Sequence, residues 1–126
     1  MKITVHDESV ADLQADVLAW VITSELSFAP DLKNVAGDLL AELVETGETK
    51  GAAAELTILH SPTGVPIRRH YLIGAGDTLD AAAIFKASGQ AVRAATKHGA
   101  SRVAIHIPET DLVRPAIEGA LYGSYQ

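Results

Sequence analysis

The chain contains no cysteine. That excludes a disulfide framework, thiolate metal sites and a cysteine nucleophile together. Aromatic residues make up only 5% of its 126 positions, with a single tryptophan, so little is available for stacking nucleotide bases. Nowhere do 18 apolar residues run together, and no segment reads as a membrane span. Positive charge is scarce as well. Ten Lys and Arg stand against sixteen Asp and Glu, a formal charge of −6 that repels phosphate backbones unless the cations gather on one face. The one tight basic cluster, Arg68-Arg69-His70, has no interleaved aromatic and reads as a solvated hairpin flank, so no nucleic-acid partner is expected. Met1-Lys2-Ile3-Thr4-Val5 opens as a strand, without the basic segment, apolar core and small-residue cleavage site of a secretory leader. A cytoplasmic location and no membrane association are the expectations.

What the chain does have is 48% hydrophobic residues over a length that suits one core, so a single domain spanning residues 1–126 is expected. Short strand patterns alternate with longer helical ones, as in an α/β domain. Lys2 to His6 alternates and suggests an edge strand. Asp16 to Ile22 is almost continuously apolar, as in a strand covered on both faces, which places it centrally. After Pro30, residues Leu32, Val35, Ala36, Leu39, Leu40 and Leu43 recur at helical spacing and predict a helix ending near Gly47. Ala52 to His60 and Arg69 to Ile73 read as an antiparallel pair joined by the turn-rich Ser61-Pro62-Thr63-Gly64-Val65-Pro66.

A long helix is predicted from Leu79 to about His98, capped by Thr78 or Asp77 and ended by Gly99. Its inward stripe of Ala81, Phe85, Ser88, Gly89, Val92 and Ala95 is mostly small, which would let the helix approach the sheet closely. A strand over Arg102 to Ile107 follows, so strand, helix and strand form a crossover that implies a parallel pair. A last helix runs from about Asp111 to Tyr122.

Residue types that carry chemistry are present, but none falls in a reactive pattern. Gly74-Ala75-Gly76 lies between a strand and a helix, yet position 79 is Leu where a dinucleotide fingerprint needs its third glycine, and Asp77 would oppose a phosphate. A tight turn is the simpler reading. His6-Asp7-Glu8, and His106 with Glu109 and Asp111, include metal-ligand types without one-face spacing, so structural or surface roles are expected. Ser24 and Ser61 lack a nucleophile-elbow setting. Glu42 and Glu45 fall on the solvent side of their helix, and Trp20 and Phe85 read as core anchors. Tyr122 and Tyr125 offer apolar surface near the chain's end.

Several short stretches, in order along the whole chain, carry a family resemblance. They are Leu13-Gln14-Ala15-Asp16-Val17-Leu18, Gly47-Glu48-Thr49-Lys50-Gly51, Leu72-Ile73-Gly74-Ala75-Gly76, Ala87 through Ala95, and Glu118-Gly119 through Gly123-Ser124-Tyr125. Together they resemble the amino-terminal domain of leucyl (cytosol) aminopeptidases of the M17 peptidase family, the last stretch matching the junction with the catalytic domain. Thr49 departs from that pattern, in which an aromatic is usual. The resemblance implies a noncatalytic accessory domain. In the full-length family two divalent ions, zinc or manganese, activate water in the second domain, around an Asn-Thr-Asp-Ala-Glu-Gly-Arg signature that this sequence does not contain. No catalytic residue and no metal ligand carries over. Implied partners are the chain's own catalytic domain and further copies in a homo-oligomer, where the domain sits at the periphery and limits substrate access or supports assembly.

Asp16 to Leu26 and Thr63 to Gly76 are also similar to macro domains, which bind ADP-ribose. This implies a three-layer α/β/α fold on a mixed, largely parallel sheet, with a crevice at the carboxyl ends of the parallel strands lined by Thr23, Ser24, Gly74, Gly76 and His106. Thr23 stands where macro domains carry an asparagine. The first phosphate loop corresponds to Ser27-Phe28-Ala29-Pro30-Asp31 and the second to Pro108-Glu109-Thr110-Asp111. Neither has the glycine that lets backbone N–H groups approach a diphosphate, and both add negative charge. Three readings stay open at this point: a noncatalytic peptidase module, a macro-type nucleotide binder, and a self-associating structural domain.

Overall fold

A computed structural model of the chain describes residues 2–6, 15–26, 28, 30–60, 67, 69–107 and 110–124. Five strands, β1 (Lys2–His6), β2 (Val17–Ile22), β3 (Leu56–His60), β4 (Arg69–Gly74) and β5 (Arg102–His106), form one sheet in the order β1-β5-β2-β4-β3. Helices α1 (Pro30–Glu45), α2 (Ala81–Lys97) and α3 (Val113–Ser124) cover its two faces. β1, β5, β2 and β4 run parallel, and β3 joins β4 antiparallel with Leu56 opposite Ile73. This is the three-layer α/β/α arrangement with a mixed, mostly parallel sheet that the macro-domain likeness implies.

β2 explains the layering. All six of its residues are buried, because Val17, Ala19 and Val21 point into the core under α2 and α3 while Leu18, Trp20 and Ile22 point into the core under α1. Successive side chains of a strand face opposite sides, so a strand covered on both must be apolar throughout. β1 is an edge strand, as its alternation suggests, with Ile3 and Val5 half-buried against the α2 and α3 side.

Four expectations need correction. β4 and β5 are parallel but not neighbours: α2 carries the chain past β2, so β5 pairs with β2 and β1. Hydrophobic pattern fixes which strands are buried, not their order. β3 begins at Leu56, because residues 51–55 are used differently. The cap of α2 is Asp80, whose side chain accepts from the Ala83 amide at 2.8 Å, since Asp77 is occupied by Ser24. Gly99 ends that helix with φ 71°, as expected.

The fourth correction concerns the small residues of α2. Ala81 is exposed, and the buried set is Ile84, Ala87, Ser88, Gly89, Ala91, Val92 and Ala95. Part of this stripe meets α3 rather than the sheet. A Cβ on Gly119 would lie 2.2 Å from the Phe85 carbonyl oxygen, and one on Gly123 would lie 2.6 Å from that of Gly89. The two helices therefore touch backbone to backbone. A 3-10 turn, Thr110–Leu112, leads into α3.

α1 is interrupted at Gly37, where φ 50° and ψ −125° leave the helical region. Leu32, Ala36, Leu40 and Leu43 are buried as predicted, but Leu39 is 43% exposed, and the Val35 side chain lies outside the described residues. Gly47, φ 78°, closes the helix where the sequence predicts.

Candidate functional site

The carboxyl ends of parallel strands are the usual ligand crevice of an open α/β sheet. Here β2 and β4 end in register, Ile22 opposite Gly74, and Ala75 N–H continues the ladder by donating to Ile22 O at 2.7 Å. Thr23 O accepts from Leu26 N–H at 3.0 Å in a turn held by Leu26 at φ 57°. Ser24 N–H donates to Gly76 O at 3.0 Å, and the Ser24 hydroxyl donates to Asp77 Oδ1 at 2.5 Å. Thr23, Ser24, Gly74 and Gly76 are thus brought together.

A strap formed by residues 50–55 is laid across them. Gly76 N–H donates to Gly51 O at 2.9 Å, Ala54 N–H to Gly74 O at 3.1 Å, and Gly74 N–H to Glu55 O at 2.8 Å. The contact is close enough to require glycine on both sides. A Cβ on Gly51 would stand 2.2 Å from Thr23 O, and one on Gly74 would stand 1.9 Å from Ala52 O. Glu55 Oε1 accepts from the amides of Lys50 and Gly51 at 2.8 and 2.9 Å, a seat of two consecutive N–H groups of the kind that holds anions. Gln90 of α2 ties the strap from outside, its Nε2 donating to Ala54 O at 2.8 Å. Thr49 is buried beside the strap and hydrogen-bonded to Thr57 at 3.0 Å.

His106 belongs to a different group. It ends β5 on the α1 side of the sheet with its ring 4.8 Å from that of Trp20. Trp20 Nε1–H donates to Nδ1 of His70 at 3.1 Å, and the Trp20 and His70 rings stack at 6.3 Å. His70 is fully buried, which corrects its reading as part of a solvated basic flank; Arg69 is half-buried and Arg68 lies outside the described residues. Burial holds the His70 imidazole below its ordinary pKa, and its Nε2 has no hydrogen-bond partner among the described residues. The strand alternation of β4, which puts His70 on the face of Leu72, was the signal for this. Trp20 is a core anchor, as predicted.

Asp16, unremarked as a chemical residue in the sequence, is a clamp at the opposite end of the sheet. Its Oδ2 accepts from Ser101 N–H, Ser101 Oγ–H and Arg102 N–H at 2.8, 2.8 and 3.1 Å. Of the other candidates, Glu42, Glu45 and Asp111 are exposed, and Phe85 is half-buried against the Tyr122 ring at 5.6 Å. Asp7, Glu8, Ser61 and Glu109, together with Tyr125, lie outside the described residues. Among the described residues no three His, Asp or Glu side chains converge as metal ligands, and no helix is long and apolar enough to cross a membrane.

Comparison with known proteins now bears on this geometry. Residues 22–126 match the cytosol aminopeptidase family, N-terminal domain. The chain belongs to that family. A probable cytosol aminopeptidase of Solibacter usitatus is 32% identical over 132 residues, which take in 100% of this chain and 26% of the relative. The N-terminal domain described here therefore spans about a quarter of that relative's length. A mutant of tomato leucine aminopeptidase shares the fold with a TM-score of 0.78 at 20% identity, covering 100% of this chain and 28% of its own. The macrodomain of Mycobacterium tuberculosis DarG, at 11% identity and TM-score 0.68, covers 98% of this chain and 90% of its own. That likeness shows a shared fold.

Proposed function

We propose that this cytosol aminopeptidase N-terminal domain is noncatalytic and serves as a scaffold that supports assembly or limits substrate access. The observation that supports this reading is the strap: Gly51, Ala54 and Glu55 take up the backbone hydrogen bonds of Gly74 and Gly76 at the strand ends, and Thr23 O is packed against Gly51. The atoms that would line a nucleotide crevice are spent on the chain's own backbone. On this reading the partners are the chain's catalytic domain and further copies in a homo-oligomer, in the cytoplasm. The two divalent ions, zinc or manganese, belong to the catalytic domain. Among the described residues of this chain no ligand set fits them, and no reaction step is assigned here.

The test uses residues 1–126 alone. With manganese or zinc and leucine p-nitroanilide the protein should release no nitroaniline above the metal-only background, and titration with ADP-ribose should give no binding heat. Turnover would sink the noncatalytic reading. Saturable ADP-ribose binding would establish instead a macro-type nucleotide module.

A further inference from the structure

α3 buries small residues and exposes large ones. Ala116, Gly119, Ala120 and Gly123 face inward, while Ile117 is 43% exposed, Leu121 51% and Tyr122 55%. Among the described residues only one other large hydrophobic side chain, that of Leu39 on α1, is exposed to that degree. Ile117 and Leu121 stand four positions apart and so share one stripe of the helix. Tyr122 beside them leans on the half-buried Phe85 of α2, which widens the apolar surface across the two helices. Arg114 and Glu118 pair with each other at 3.1 Å, so these charges are matched within α3 and the apolar groups are what remain uncovered.

A surface helix ordinarily turns its large apolar residues toward the core. Here the inner face is fixed by the backbone contact with α2, where Gly119 and Gly123 leave no room for a Cβ, and the large outer residues gain nothing from it. Burying them takes a second partner on the far side of α3. Area and position decide which. Half of three such side chains amounts to about 300 Å² of apolar surface. A stable interface between free proteins buries roughly 800 Å² per partner, so a second copy of the chain is poorly served by this face. A tethered occupant needs far less, because the tether supplies an effective concentration on the order of millimolar. The family places this domain at the amino terminus, and the domain spans about a quarter of the Solibacter usitatus relative. In such chains the polypeptide leaves the domain from the end of α3, within about two turns of Ile117, Leu121 and Tyr122.

We propose that the outer face of α3, Ile117, Leu121 and Tyr122 with Phe85 beside them, is the docking surface for the polypeptide that follows this domain in full-length members of the family. The facing segment covers the stripe with apolar side chains of its own. The inference rests on the reading above that the catalytic domain is this domain's partner, and it adds the surface through which that partner is held. The turnover and ADP-ribose assays do not read it, so the two fail separately.

The experiment joins residues 1–126 to the part of the Solibacter usitatus relative that follows its matched segment, and compares this chimaera with the 126-residue protein. The sequence has no cysteine, so Leu121→Cys gives a reporter on the stripe and Glu42→Cys an exposed reference on α1, across the sheet. Alkylation by iodoacetamide is followed by mass spectrometry of each peptide, which separates the reporter from any cysteine of the joined part. Leu121→Cys should react freely in the 126-residue protein and at least about tenfold more slowly in the chimaera, as expected of a face covered about nine-tenths of the time, while Glu42→Cys keeps its rate. Equal rates at Leu121→Cys in the two proteins overturn the proposal, and so does a slowing shared by Glu42→Cys. Sedimentation of the 126-residue protein is a second arm that needs no chimaera: at about 0.1 mM, below the effective concentration of a tethered segment, it should be monomeric. A dimer abolished by Leu121→Lys would assign the face to a second copy and overturn the proposal.

Discussion

Acidification should destabilise this domain through His70. In the fold its Nδ1 accepts from Trp20 Nε1–H, so the ring is held neutral, and burial among apolar neighbours lowers its pKa from the ordinary 6.5. The unfolded chain takes up a proton as pH drops through 6.5, while the folded chain resists until its own lower pKa is reached. As pH falls through 6.5 the unfolded state therefore binds more protons and stability falls; about a unit above 6.5 the contribution is flat. The slope is at most about 1.4 kcal/mol per pH unit, so this one group can remove up to about 1.4 kcal/mol by pH 5.5. His70→Gln keeps an acceptor for the Trp20 indole and removes the titration. The assay is urea unfolding followed by fluorescence of the single tryptophan, which lies in this cluster, at pH 7.5, 6.5 and 5.5. The excess loss of the wild type over His70→Gln should reach about 1 kcal/mol at most over the lower interval and about 0.4 kcal/mol at most over the upper one. Parallel pH profiles for the two proteins would refute the argument, since every other titrating group is common to both.

Three further outcomes follow from the packing. Gly119→Ala gains about 1 kcal/mol of helix propensity but drives a methyl group to 2.2 Å from the Phe85 carbonyl oxygen, and overpacking of that kind costs typically 1–3 kcal/mol or more, so a lowered urea midpoint is expected. Asp16→Ala removes the acceptor of three hydrogen bonds at the start of β5 and should cost about 2 kcal/mol, read in the same unfolding assay. Gly74→Ala places a Cβ 1.9 Å from Ala52 O, so the strap must leave its seat, and limited proteolysis should then cut within residues 50–55, where the wild type resists.

Much of this architecture is legible in the sequence because apolar period is a local property. β2 betrays its central place by being apolar throughout, and Gly47 and Gly99 mark helix ends by their φ of 78° and 71°. Strand order is not local, which is why β4 and β5 read as neighbours although β2 lies between them. The candidate site divides in the same way. Thr23, Ser24, Gly74 and Gly76 are placed by the strand ends that carry them, but the strap that meets them comes from about 30 residues further along than Thr23, and Gly51 shows its role only once Thr23 O is seen beside it. His70 stands in a run of basic letters that masks the alternation placing it on the face of Leu72, and its register on β4 opposite Leu18 of β2 puts it in the core.

The strap also bears on the proposal that this domain, which shares its fold with macrodomains, does not take up a diphosphate. A glycine at a strand end admits whatever backbone or phosphate comes near, because it has no side chain to keep it out. In this domain Gly74 admits Ala52, and Gly51 admits Thr23, at distances that leave no room for a Cβ. The Lys50 and Gly51 amides, an arrangement suited to an anion, are met by the chain's own Glu55 carboxylate. An incoming diphosphate would have to displace an anion already held intramolecularly, together with the strap hydrogen bonds to Gly74 and Gly76, and would then face the Asp77 carboxylate at Ser24. Removing the internal anion with Glu55→Gln should therefore loosen the strap without creating an ADP-ribose site, since the glycine contacts and Asp77 remain. If that single change conferred saturable ADP-ribose binding, the Glu55 carboxylate alone would be the barrier, and the backbone contacts at Gly51 and Gly74 would not suffice to keep a diphosphate out.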